Sequence, residues 1–292
     1  MNWDDTRIFL AVARSGQFLA AAQRLGINHA TVARRITALE TSIASKLLDR
    51  RTTGCVLTED GERFLEFAER MEAEMLNART AIGGSSVELS GSVRIGAPDG
   101  FGVHFLAPKL VKLSDRFPAL TLQLVPLHRS FSLSRREADI AITVGRPEQG
   151  RLISRSLVTY RLALYASRSY LERAGVPQSL EDLAQHRLVG YVEDLVYTPA
   201  LNYSEEVMKG WHSSLECSSA LAQTEAVRAG GGIGVLHSYI AAKDPDLVQI
   251  LPETFLTRTY WLVYHESVKG LRRIRETCDF ITEEVKRASS EF

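Results

Sequence analysis

Apolar residues near the start of the chain recur at helical spacing. Phe18, Ala21, Ala22 and Leu25 fall at i, i+3, i+4 and i+7, the pattern of one buried helix face. The two alanines keep that face thin, so another helix can cross close over it. Gly26 predicts the end of this helix, where a positive φ costs little. Asn28 predicts the cap of the next, its side chain satisfying backbone N–H groups that otherwise lack partners. In that second helix Val32, Ile36 and Leu39 share a face, while His29, Thr31, Arg34 and Arg35 lie on others. A thin first helix, a glycine turn and a second helix with a spare polar face describe a helix–turn–helix, whose second helix suits the major groove of DNA. An ordinary helical hairpin with solvated arginines gives the same pattern and is the alternative.

Downstream, Leu47–Leu48 and Val56–Leu57 flank a polar, glycine-containing turn, which predicts a small β-hairpin, or wing. Arg50, Arg51, Thr52 and Thr53 belong to its tip, within reach of phosphates or a minor groove. From Thr58 the run T-E-D-G-E predicts a helix start with acidic residues at its positive end, and Gly83–Gly84–Ser85–Ser86 predicts its stop near Ile82. Within it, Phe64, Ala68, Met71, Met75, Ala78 and Ile82 alternate four and three residues apart, a heptad seam over about two and a half repeats. Such a seam predicts a dimer contact between two copies of the helix. The alternative is a surface helix packed on its own domain.

Composition narrows the class. A chain of 292 residues holds two or three compact units, and 45% hydrophobic with 24% charged residues is an ordinary globular balance. No stretch approaches the ~20 apolar residues of a membrane span. The acidic, amphipathic start MNWDDTRIF is no secretory signal, so a cytoplasmic protein without a membrane partner is expected. The 35 basic and 35 acidic residues cancel, yet from Arg24 to Arg51 six basic residues face two acidic ones. A local excess inside a neutral chain fits a confined nucleic-acid footprint. Cys55, Cys217 and Cys278 give neither a disulfide framework nor metal-ligand spacing, and the seven histidines contain no H-x-x-x-H pair. No metal and no cofactor is therefore expected.

The remaining two-thirds alternate strand-like and helix-like runs after a Gly- and Ser-rich linker, Gly83–Ser92. Strands are predicted at Val93–Ala97, Leu120–Val125, Ile140–Val144, Leu162–Ala166, within Gly230–Leu236 and at Trp261–Tyr264. Helices are predicted at Val103–Phe117, Leu221–Ala229 and Gly270–Lys286. Alternating β and α predicts open sheets with parallel strands, whose ligands gather at the carboxyl ends of the strands.

Two runs carry a family resemblance: A-A-x-x-L-G-x-x-x-x-x-V-x-R-x-I-x-x-L-E from Ala21 to Glu40, and L-L-x-R…x-L-T-x-x-G from Leu47 to Gly61. They resemble the LysR-type transcriptional regulators, and the likeness continues more weakly through GSVRIGAP, ADIAI, GGIGVL and LVYH…RRIRE. The resemblance implies a multidomain chain: an all-α-type winged helix–turn–helix head at 1–58, a long dimerisation helix and hinge at 59–90, and an α/β effector-binding domain at 91–292. That last domain would be similar to periplasmic binding proteins, with one subdomain of 91–161 plus 267–292 and another of 162–266. The resemblance further implies that Asn28, His29, Ala30, Thr31, Arg34 and Arg35 face double-stranded DNA, with Arg50, Arg51 and Thr52 on its backbone. The family's usual serine ahead of the arginine is Ala33 here, which removes one hydroxyl contact. Implied partners are DNA, a small-molecule effector, a second copy through the linker helix, a homotetramer, and RNA polymerase.

Candidate effector contacts follow from the strand ends: Pro98, Asp99, Gly100 and Phe101 after the first strand, Arg129 and Ser130 after the second, and Thr143 and Val144 at the end of ADIAI. In the second subdomain they are Tyr191, Val192 and Glu193, with Gly232 and His237 flanking the Gly-rich turn. The bland readings are that Asp99 caps a helix, Arg129 pairs with a carboxylate and His237 is a satisfied strand-end histidine. Many relatives carry a small hydroxyl residue where Asp99 stands, suited to a carboxylate effector. An acidic side chain there implies a neutral or cationic effector, or compensation by Arg129.

Three other functions compete with this one. An enzyme is disfavoured: GGIG lacks G-x-G-x-x-G spacing, and no P-loop or G-x-S-x-G is present. A cysteine-based redox sensor requires a reactive thiolate, with Cys217 the candidate. An architectural DNA binder would have a vestigial cleft and no sequence preference.

Overall fold

Capping side chains and glycines set out the first helices. The computed structural model describes residues 2–51, 54–83, 89–127, 138–147, 151–196 and 199–292. They belong to two compact units, residues 1–87 with 267–272, and residues 88–266 with 273–292. In the first unit, Asn2 accepts the N–H of Asp5 at 2.9 Å to open α1 (Trp3–Ser15). Helix α2 (Phe18–Leu25) stops at Gly26, whose φ of 65° is left-handed. Asn28 opens α3 (His29–Ile43), its Oδ1 accepting the N–H of Ala30 at 2.8 Å. The core joins Ile8, Phe9 and Val12 of α1, Ala21 and Ala22 of α2, and Val32, Ile36 and Leu39 of α3. Each large side chain so buried contributes roughly 1.5–3 kcal/mol.

Strands β1 (Leu48–Arg51) and β2 (Gly54–Leu57) pair antiparallel, Leu48 opposite Leu57 and Arg51 opposite Gly54. The wing thus lies where the apolar runs predict it; Thr52 and Thr53 lie outside the described residues. Helix α4 (Glu59–Gly83) follows. Its heptad seam divides between two faces. Phe64 meets Phe9 edge-on at 5.1 Å and Ala68 is buried in the unit's own core, so these two are not open to a second copy. Arg14 of α1 grips Glu72 through two bonds of 3.1 and 2.5 Å on the same side. Among the described side chains of α4, the exposed apolar ones include Phe67 (57% exposed), Met71 (38%) and Met75 (50%), with Ala78 also exposed. The side chain of Ile82 lies outside the described residues.

In the second unit, nine of the described strands form one sheet in the order β4-β3-β5-β11-β6-β9-β7-β8, with β10 (Leu247–Gln249) paired to β6. In one lobe β3 (Gly91–Pro98) runs parallel to β4 (Leu120–Leu127) and β5 (Ile140–Val144). In the other β7 (Leu188–Gly190) runs parallel to β8 (Leu215–Glu216) and β9 (Ile233–His237). The centre corrects the expectation of parallel sheets. β6 (Leu152–Ser167) and β11 (Phe255–His265) are longer than the predicted apolar runs and antiparallel to each other and to their neighbours. β11 pairs with β5 through Tyr260–Tyr264, and β6 with β9 through Leu162–Tyr165, so each long strand passes from one lobe of the sheet to the other. The expected boundary between residues 161 and 162 therefore falls inside a continuous strand. Residues 267–272, expected with the first subdomain, group with the helical unit.

The helix expected from Val103 begins earlier. A wide π-helical turn, Gly100–Leu106, leaves β3 almost at once and runs into α5 (Ala107–Arg116). The second lobe carries α6 (Arg168–Ala174), α7 (Tyr203–Val207), α8 (Ala220–Arg228) and α9 (Ser238–Ala241), and α10 (Arg272–Arg287) closes the chain.

Candidate DNA-binding face and ligand cleft

Because Val32, Ile36 and Leu39 turn α3 inward, its opposite side is left to solvent: His29, Ala30 and Arg34 are exposed and Thr31 is half-buried. Asn28 is exposed too, with its carbonyl oxygen spent on the cap. Arg35 is placed differently from Arg34. Its guanidinium stands 3.0 Å from the buried carboxylate of Asp5 and 3.6 Å from Asp4, tying α3 to α1. On the wing, Arg51 is exposed and Arg50 lies over the Phe18 ring at 4.6 Å, while Phe18 tilts against His29 at 6.2 Å. Wing, α2 and the start of α3 thereby share one cationic patch.

The wing is held by a residue the pattern of positions did not single out. Glu40, near the end of α3, is buried. Its Oε1 accepts the N–H groups of Leu47 (2.9 Å) and Leu48 (3.2 Å), and its Oε2 faces Lys46 at 3.2 Å. Thr58 works from the far side, its hydroxyl donating to the Lys46 carbonyl (2.6 Å) and accepting from Gly61 N–H (2.9 Å). Gly61 must lack a side chain, since a Cβ there would sit 2.0 Å from the Leu47 carbonyl oxygen. The L-E and L-T-x-x-G signatures are thus parts of one joint between α3, wing and α4.

In the second unit a cavity of about 20 Å³, room for about one water, lies where the two lobes meet. Of the strand-end candidates, Pro98, Asp99, Gly100, Val144, Tyr191 and His237 line it. Thr143 does not: its neighbour Val144 takes the cavity side, and successive strand residues face opposite ways. Its hydroxyl instead donates to the Gly145 carbonyl at 2.9 Å. Phe101 is turned behind the wall, against Tyr260 (4.8 Å) and Phe105 (5.0 Å). Val192 and the exposed Glu193 lie beyond Tyr191 and off the lining. Gly232 stands at the start of β9, opposite the end that carries His237. A Cβ there would lie 2.2 Å from the Arg187 carbonyl oxygen, so its role is close backbone approach. Arg129 and Ser130 lie outside the described residues.

Four lining residues escape a reading of strand ends: Leu201, Tyr203, Ala220 and Tyr260. Tyr260 was within reach of the alternation in β11, beside an irregularity in its register with β6 between Tyr260 and Trp261. Tyr203 and Leu201 come from loop-rich sequence without a periodic signal. Behind the cavity the aromatic rings stack, Tyr160 on Tyr260 at 4.1 Å and on His237 at 5.2 Å. The hydroxyls of Tyr239 and Tyr260 lie 3.2 Å apart, and burial pushes both well above the ordinary phenol range. Burial also lowers His237 to about 4, against a smaller upward pull from Asp99, so its imidazole is neutral at neutral pH.

Asp99 is held at the start of α8. Its Oδ2 accepts the Ser219 hydroxyl at 2.6 Å and the Leu221 N–H at 3.1 Å, at the N-terminus of α8. The cysteines are free, and burial raises the pKa of each, that of Cys278 to about 12. Thiols held protonated are poor redox sensors, which disfavours that alternative. Among the described residues no group of His, Cys, Asp and Glu is arranged to hold a metal, and no helix is long and apolar enough to cross a membrane.

Residues 3–62 match the family described as bacterial regulatory helix-turn-helix protein, lysR family, and residues 86–286 match the LysR substrate binding domain. The chain is 29% identical over 290 residues to the HTH-type transcriptional regulator CrgA of Neisseria meningitidis, covering 97% of each. It is 30% identical to the HTH-type transcriptional regulator DmlR of Escherichia coli, over 95% of this chain and 92% of that one. The solved structure of CrgA, a LysR-type transcriptional regulator, superposes with a TM-score of 0.62 at 28% identity, covering 98% of this chain and 99% of that one.

Proposed function

The chain belongs to the LysR-type transcriptional regulators, and from that membership we infer how its residues divide the work. It is a sequence-specific DNA-binding regulator whose DNA binding or promoter activation responds to a small-molecule effector in the α/β unit. LysR-type regulators bind DNA and small-molecule effectors and function as oligomers. The observation that carries the assignment of residues is the contrast along α3: Arg34 is exposed while Arg35 is committed to Asp4 and Asp5. Arg34, with His29, Ala30 and Thr31 beside it, enters the major groove and reads bases. Arg50 and Arg51 bind phosphates from the wing, and Arg35 positions the helix that Arg34 reads with.

Two copies join through the outward row Phe67, Met71, Met75 and Ala78 of α4 rather than through Phe64 and Ala68. The dimer then presents two recognition helices to two half-sites, and pairs of dimers form a tetramer. The protein works in the cytoplasm, contacts RNA polymerase at activated promoters, and performs no catalysis. The effector occupies the cleft lined by Asp99, Tyr191, Tyr203, His237 and Tyr260. Selection of binding sites from a random DNA pool by the purified chain tests the reading. Enrichment of a dyad-symmetric motif is expected, with Arg34→Ala losing preference at one position of each half-site. Enrichment of nothing beyond bulk DNA would overturn it.

A further inference from the structure

Asp99 and Ser219 come from different lobes of the sheet. Asp99 leaves the end of β3, whereas Ser219 and α8 lie between β8 and β9. The Asp99 carboxylate therefore bridges the lobes, bonded to a hydroxyl and a backbone N–H at the positive end of a nine-residue helix. The approach there is close. A Cβ on Gly100 would lie 3.4 Å from both Ile240 and the Tyr239 hydroxyl and 3.5 Å from Ala220, so the first lobe rests directly on α8 and α9.

The rest of the cavity agrees with a site built for a carboxylate and already filled by one. His237 is 5% exposed and lines the same cavity. Its imidazole stacks on Tyr160 at 5.2 Å and feels the charge of Asp99. Among the described residues lining the cavity there is no cationic side chain. Among the described residues, an incoming acid would meet the Asp99 charge, a neutral imidazole and tyrosines, and the positive end of α8 that Asp99 occupies.

We propose that Asp99 is a built-in substitute for an acidic effector, its carboxylate closing the two lobes by occupying the α8 N-terminus. The wild-type cleft consequently closes without an acid and rejects simple carboxylates, and removing the Asp99 side chain creates a site that takes them. Its regulatory meaning rests on the cleft being the effector site; the closure itself does not.

Thermal melting of the full chain with acetate as the probe tests the proposal, using chloride at equal ionic strength as the control. Asp99→Ala is expected to melt roughly 4 °C or more below wild type in chloride. Acetate on the order of 50 mM is expected to restore at least half of that drop in Asp99→Ala and to leave wild type unmoved. An Asp99→Ala protein that melts with wild type, one that acetate fails to restore, or equal shifts by acetate in both proteins would each overturn it. If Asp99→Ala does not fold, a cycle of Asp99→Asn and Ser219→Ala decides instead. The drop caused by Asp99→Asn should shrink by at least half in the Ser219→Ala background, and additive drops would overturn the bridge. No DNA or metabolite enters these measurements, so a negative result removes the latch and leaves the regulator reading standing.

Discussion

Replacing Glu40 by alanine removes the acceptor at the joint between recognition helix and wing. The Leu47 and Leu48 N–H groups, bonded to Glu40 at 2.9 and 3.2 Å, then lack a partner in a buried place. A buried donor left unsatisfied costs about 1–3 kcal/mol, and two of them with partial relaxation about 3 kcal/mol together. The Lys46 pair adds little, because Lys46 is 77% exposed and its charge is screened by water. For a unit of this size each kcal/mol shifts melting by ~4–8 °C, so the transition of the helical unit should fall by roughly 12–24 °C. Glu40→Gln keeps an oxygen for both N–H groups and loses only the charge, so about half that fall is expected. Scanning calorimetry of the full chain, with circular dichroism to identify the helical transition, reads both variants. A Glu40→Ala transition within about 2 °C of wild type, or a Glu40→Gln fall larger than that of Glu40→Ala, would refute the joint.

Three further outcomes follow from the same geometry. His237 carries a folded pKa of about 4 against an unfolded value of 6.5, so the unfolded chain binds the extra proton between those values. Stability is therefore full above pH 6.5 and declines by about 3 kcal/mol as pH falls to 4. Urea titrations across that window should slope in wild type and flatten in His237→Phe; parallel slopes would remove the assignment. Arg35→Ala should lower the melting temperature of the helical unit as well as DNA affinity, whereas Arg34→Ala should cost about 1–3 kcal/mol of operator binding with melting unchanged. Equal melting of the two variants would contradict their separation. Phe67→Glu should shift the chain toward monomer in sedimentation velocity, while Phe64→Leu, on the inward face, should not; an unchanged oligomer for Phe67→Glu would place the contact elsewhere.

The helix–turn–helix was legible because its information is local. Two alanines, one glycine and one asparagine each act within a turn or two of themselves, and the structure uses them as their chemistry suggests. The heptad seam of α4 misled for a complementary reason. Periodicity shows which residues share a stripe but not what covers it, and α1 covers Phe64 and Ala68 through Phe9. The strands β6 and β11 outrun their apolar stretches because their polar residues are paired with each other in mid-sheet, where pairing rather than hydropathy sets the length. At the cleft, Pro98, Asp99 and His237 could be found from strand ends alone. The bland reading of Asp99 as a helix cap was correct in kind, but the helix it caps begins at Ala220, more than a hundred residues away. Ser219 was readable as a cap from sequence; its second bond, to Asp99, depends wholly on the folded sheet.

Footprinting of the purified protein on the DNA upstream of its own gene, with neighbouring divergent promoters included, bears most directly on regulator function. A bounded, dyad-symmetric protected site is expected, weakened by Arg34→Ala while bulk DNA binding persists. Diffuse, salt-sensitive coverage without a bounded site, unchanged by Arg34→Ala, would contradict sequence-specific regulation and favour an architectural DNA binder.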